Sequence, residues 1–121
     1  MSRQRPDAVD HLLPLSLPVF HMLLALTEGE RHGYALKREI LRRTDRKLNL
    51  GSGALYGSIN KMLEQGLIEE SEERPDPHLD DERRRYYRIT PLGRRVVQAE
   101  AMRLRDLVRL AEARLELPEP A

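Results

Sequence analysis

The 121 residues contain no cysteine, no tryptophan, one phenylalanine and four tyrosines. The missing thiol excludes disulfides, thiol redox sensing, thiolate zinc sites and cysteine nucleophiles together. Long apolar runs are missing too. None approaches the roughly 18 residues that cross a bilayer, and the start, MSRQRPDAVD, has no apolar core of signal-peptide length. A cytoplasmic location is expected from these missing signals. Charge of one sign is also lacking: 21 Lys and Arg face 20 Asp and Glu, a formal net charge of +1. The overall balance therefore selects no partner, and any electrostatic case rests on local clusters. Four histidines (His11, His21, His32, His78) lie in different segments, no Gly-rich phosphate loop is present, and no nucleophile has a neighbouring base. An enzyme is not expected, nor a cofactor.

What is present is punctuated by eight prolines, none inside a segment with helical spacing. Residues 1–14 read as a loose arm. A first helix is expected over about residues 18–28, apolar nearly all round and hence buried. A second is expected over 34–44, with Leu36, Ile40 and Leu41 inward and Lys37, Arg38, Arg42 and Arg43 outward. Ser52 suits the N-cap of a third helix over 53–65, with Leu55, Ile59, Met62 and Leu63 on its apolar side, and Gly66 stops it. Two strand-like runs, 67–73 and 84–90, flank a loop rich in Pro and Asp. Thr90-Pro91 looks like an N-cap and first-turn proline for a long last helix, about 91–117. Three short helices and a two-stranded wing spell a winged helix-turn-helix over residues 15–90. The helix over 91–117 and a tail over 118–121 follow it. The fold class is mainly α with a small β-hairpin.

In such a fold the third helix enters the major groove, held by an apolar back and free of bulk outside. Ser52, Tyr56, Ser58, Asn60 and Lys61 are its contact candidates. Tyr56 either reaches phosphate or packs against the wing. Gly57 lowers helix propensity by about 1 kcal/mol relative to alanine, which either close approach to DNA or tight helix packing explains. From residue 31 to 66 there are eight basic and three acidic residues, Lys37 among the former. That local excess suits phosphate, although an ordinary solvated face has similar charges. ERRRYYRIT supplies Arg83, Arg84 and Arg85 before the second strand, where Arg83 or Arg84 suits phosphate or the minor groove. Asp76, Asp80, Asp81 and Glu82 lie beside them, so the acids either pair with these arginines or point away. With His78, the acids of residues 80–82 form a weak metal candidate, and solvation is the better reading. On the last helix Val97, Leu104 and Ala111 recur every seven residues, with Ala101, Leu107, Val108 and Leu115 beside them. That spacing suits a partner helix, and a two-fold homodimer would set two recognition helices on a palindromic site. Folding back onto its own domain is the alternative.

HGYALKREI (32–40), GALYGSINKMLEQGLIEE (53–70) and DDERRRYYRITPLGRR (80–95) together resemble the PadR family of bacterial transcriptional regulators. In family order they cover most of residues 16–97. The resemblance implies a winged helix-turn-helix repressor of double-stranded DNA that dimerises through its C-terminal helix, of the short subfamily with a single such helix. Carried over position by position, His32, Gly33 and Tyr34 open the second helix. Gly53, Leu55 and Tyr56 mark the recognition helix, and Arg84, Arg85, Tyr86 and Tyr87 the second wing strand. Ala54 stands where the family commonly has threonine, and Gly57 where it often has proline. Some short members bind drug-like aromatic compounds between their C-terminal helices. Here residues 91–121 contain no aromatic residue to stack on one, so a small-molecule effector of unspecified identity is an open partner without support in that helix. Val97, Ala101, Leu104 and Val108 suit a small apolar cleft, and suit a dimer core better. The competing function is a winged-helix module that docks proteins and not DNA, which salt-sensitive duplex binding discriminates.

Overall fold

A computed structural model describes residues 7–71 and 85–120. A one-turn helix, α1 (Asp7–Asp10), lies within the arm expected to be loose. Helix α2 (Leu17–Leu26) begins where the Ser16 hydroxyl accepts a hydrogen bond from the Val19 N–H, with Pro18 in its first turn. The expectation that this helix is buried all round needs correction: Met22, Leu23, Ala25 and Leu26 are buried, but Leu17 is 59% exposed and Phe20 and Leu24 are half-buried.

Strand β1 (Arg31–His32) follows, and helix α3 (Gly33–Arg43) starts on it. The cap of α3 is the His32 ring, whose Nδ1 accepts from the Ala35 N–H at 3.1 Å. At its other end Asp45 and Arg46 have positive φ, and the Arg46 N–H returns to the Leu41 carbonyl at 2.8 Å, closing the helix. Helix α4 (Ser52–Glu64) is capped by Gly51, so Ser52 is its first residue and not its N-cap as expected; no side chain caps it. Gly66, at φ +76°, ends it, and the Leu67 N–H donates to the Met62 carbonyl at 2.9 Å.

Strands β2 (Ile68–Ser71) and β3 (Tyr86–Ile89) pair antiparallel with Ile68 opposite Ile89 and Ser71 opposite Tyr86. The sheet has three strands and not two, in the order β1-β3-β2, because Arg31 and His32 pair with Tyr87 and Tyr86. The expectations for Asp76, His78, Asp80, Asp81, Glu82, Arg83 and Arg84 fall outside the described residues.

Helix α5 (Pro91–Arg114) starts as expected at Thr90-Pro91 and ends three residues earlier than expected. The Thr90 hydroxyl accepts from the Gly93 N–H at 3.0 Å and donates towards the Gly66 carbonyl at 2.6 Å. The Thr90 N–H donates to the Leu67 carbonyl. The root of α5 is thereby fastened to the turn after α4. One apolar core forms where α2, α3, α4, the sheet and the first turns of α5 meet, around Leu23, Leu36, Ile40, Ile59, Met62, Ile68 and Val96.

Candidate nucleic-acid interface

Helix α4 buries Leu55, Ile59 and Met62 and exposes Gly53, Ala54, Gly57, Asn60, Lys61 and Glu64. These six lie at helical spacing, so one face is a rigid apolar back and the other a shallow polar front with one acid at its C-terminal end. Ser58 is half-buried at the edge of that front, and Ser52 is exposed at its start. A Cβ added at Gly53 or Gly57 would meet nothing within 4 Å. Tight packing among the described residues therefore does not account for Gly57.

Tyr56 is half-buried against the start of α3: a Cβ at Gly33 would stand 3.0 Å from its Cε1 and hydroxyl oxygen. Gly33 is what lets that ring close on the helix. The His32 ring meets Tyr86 edge-on, with centroids 5.4 Å apart. Tyr34 is 55% exposed, with the Arg38 guanidinium 5.4 Å from its ring centre. Lys37 is half-buried on the same helix.

The basic cluster read from the sequence is partly neutralised. Glu39 accepts from Arg42 at 2.7 Å and from Arg43 at 2.6 Å, Arg43 also reaches Glu28 at 2.7 Å, and Arg31 reaches Glu28 at 3.4 Å. Among the described residues no acidic group lies within ion-pair distance of Lys37, Arg38, Arg46, Lys47 or Lys61. Hydrogen bonds from Arg42, then Arg43, hold the Glu39 carboxyl down to about 2. In the sheet, Arg88 pairs with Glu69 at 2.8 Å and approaches Glu30 at 4.0 Å, while Arg85 pairs with Glu70 at 3.1 Å. Burial, then the Glu70 charge, raises the Tyr87 pKa.

On α5, Val97 is buried in the domain's own core. Leu104 and Ala111 are half-buried; Ala101, Leu107, Val108 and Leu115 are exposed, as are Met102 and Leu110, which the heptad reading passed over. Glu100 is a residue that the sequence reading missed. It is 2% exposed. It accepts from the Arg103 Nε at 2.6 Å, from its Nη2 at 2.9 Å and from the Leu15 N–H at 3.3 Å. The Arg103 hydrogen bond is the main cause of its lowered pKa. The signal was there: a Glu with Arg three residues on, next to apolar positions at helical spacing.

Both carboxyls ionise more readily folded than unfolded, where 4.5 is the reference value. The stabilisation from Glu39 is therefore complete above that value and is lost as pH falls through it towards about 2. That from Glu100 is likewise lost on acidification. Thermal melts taken from neutral to acid pH are expected to drop most steeply below 4.5, and less steeply in Glu39→Gln. Identical acid limbs would remove Glu39 from that account.

Residues 22–99 match the model of the transcriptional regulator PadR-like family. The chain belongs to that family. A PadR-like chain is a transcriptional regulator with a winged-helix DNA-binding fold, not an enzyme. It is 32% identical over 80 residues to an uncharacterised 37.1 kDa protein in transposon TN4556 of Streptomyces fradiae, a match covering 66% of this chain and 21% of the relative. The matched part thus spans about a fifth of that protein's length. In fold it is similar to a transcriptional regulator from Clostridium thermocellum, with TM-score 0.68 and 20% identity over 96% of this chain and all of the other. It is also similar to a PadR-like transcriptional regulator from Bacillus cereus, with TM-score 0.67 and 18% identity over 93% of this chain and 99% of the other. Among the described residues of this PadR-like regulator, no helix is long and apolar enough to cross a membrane, and no group of His, Asp or Glu is placed to hold a metal ion.

Proposed function

We propose that this chain binds a palindromic operator as a homodimer and represses transcription, with α4 in the major groove and the wing (67–90) on the backbone or in the minor groove. The observation that carries the reading is the exposed front of α4, where Gly53, Ala54 and Gly57 leave Asn60 and Lys61 unobstructed. Asn suits adenine and Lys suits guanine in that groove. Lys37, Arg38, Arg46 and Lys47 supply charge for phosphate, and Ser52 opens the N-terminus of α4. The Tyr56 hydroxyl of α4 lies at Gly33, between His32 and the exposed Tyr34 in the chain. Repression and the paired half-sites follow from the family resemblance and from the apolar stripe on α5.

The test is fluorescence anisotropy on duplex DNA from the gene's own upstream region, beside a scrambled duplex, across a salt series. Tight, salt-steep and selective binding is expected. Gly57→Ala sharpens the test, because its two effects have opposite signs. The fold is expected to gain about 0.4–1 kcal/mol, since alanine is the better helix former and a Cβ there meets nothing. DNA affinity is expected to fall about tenfold or more, as is that of Lys61→Ala. A more stable Gly57→Ala protein that binds the operator as well as the parent would move the interface off α4.

A second reading, a winged helix that docks a protein, draws on the wing arginines, since Arg85 and Arg88 are already paired with carboxylates. Absence of selective duplex binding at every salt concentration would favour it.

A further inference from the structure

One wing arginine is already paired with an acid. Arg85, just before β3, turns its guanidinium to Glu70 of β2, with Nη1 and Oε2 3.1 Å apart and both side chains 42% exposed. Glu70 lies opposite Tyr87 in the sheet register. Directly opposed residues share a sheet face, and Tyr87 shares its face with Ile68 and Ile89, which join the core together with Leu55, Ile59 and Met62 of α4. Glu70 therefore stands at the outer end of the sheet face that packs on α4.

We propose that Glu70 is a built-in competitor for nucleic-acid phosphate, an autoinhibitory carboxylate that occupies Arg85 and sets a negative charge at the wing–α4 junction. The proposal rests on the reading of this chain as a DNA-binding regulator and concerns how tightly it holds. A half-exposed pair of this kind adds little to stability, so folding alone does not account for an acid placed there. A phosphate can displace such a weak partner from Arg85, but the displaced carboxylate stays within a few ångströms and repels it. Duplex affinity is thereby kept below what the wing arginine could deliver, and the bound regulator stays releasable.

The experiment compares the full chain with Glu70→Gln, Arg85→Gln and the double variant on the upstream and scrambled duplexes across the salt series. Glutamine keeps the size and an acceptor oxygen, so the melting temperature is expected to hold. Glu70→Ala serves as a second route to the same charge change. Removing the charge is expected to tighten binding about three- to tenfold on both duplexes and to steepen the salt dependence by about one ion. In the Arg85→Gln background at least half of that gain is expected to vanish. Unchanged or weaker binding by a normally folded Glu70→Gln protein overturns the proposal, and selective binding by the parent would still uphold the functional reading. If neither the parent nor Glu70→Gln binds either duplex selectively, the functional reading fails and the proposal falls with it.

Discussion

Gly93→Ala is expected to destabilise the fold by about 3 kcal/mol, lowering the melting temperature by roughly 10–20 °C. Gly93 lies in the first turn of α5 and is buried. A Cβ there would stand 2.1 Å from the Leu67 carbonyl oxygen and 2.8 Å from the Ile89 Cγ1. The first of these neighbours is backbone, and it is already fixed: the Leu67 carbonyl accepts from the Thr90 N–H, and the Leu67 N–H closes the end of α4. No rotamer change relieves the clash, so α5 must move off the sheet. Urea unfolding measures the effect, with Gly57→Ala as the control of opposite sign. Both replace a helical glycine by alanine, so helix propensity alone predicts a gain at each site. A stable Gly93→Ala protein would show that the α5 root yields more easily than the Leu67 contact implies.

Val108→Asp carries the second large effect, on association. In the single chain Leu107, Val108, Leu110 and Leu115 are each about half exposed, so a carboxylate at 108 is hydrated there and leaves the monomer intact. In the proposed dimer that position is covered by the partner helix, and one buried unpaired carboxylate per copy costs about 3 kcal/mol or more. The dimer dissociation constant is expected to rise at least roughly a hundredfold. Sedimentation at micromolar concentration reads this directly, and a helical circular dichroism spectrum shows that the chain still folds. An unchanged dimer would place the seam on another face. Loss of the dimer is also expected to remove the advantage of a palindromic duplex over a single half-site, since each monomer then binds alone.

Long elements with a clear apolar period were legible in the sequence. The back of α4, the Thr90-Pro91 start of α5 and the stop at Gly66 could all be read from local residue type. What escaped was decided by partners distant in sequence. Strand β1 has two residues, too few for any alternation to register, and exists because Tyr86 and Tyr87 pair with it. The His32 cap escaped because imidazole is not among the usual capping groups. The expected strand runs 67–73 and 84–90 reach outside the described residues; within them the paired strands cover Ile68–Ser71 and Tyr86–Ile89.

The candidate site was legible as a set of residue types, and less so as a surface. Eight cations between residues 31 and 66 could be counted, but not that Glu28, before that stretch, would take Arg43. Of the contact candidates on α4, Asn60 and Lys61 are exposed, while Ser58 turns out half-buried at the edge and Gly57 stands in the open.

The Glu100 clamp has a mechanical consequence. Its bond to the Leu15 N–H ties α5 to the segment before α2, and beyond Leu104 the helix is mostly in solvent. From Glu100 to Arg114 the helix runs about 21 Å. A tilt of about 10° at that fulcrum carries the far end through roughly 4 Å, close to the 3.4 Å step between base pairs. Two copies joined along such levers would divide the tilt between their DNA-reading ends. In the proposed dimer, a change around this buried carboxylate, remote from any base, would alter the operator spacing the pair can span.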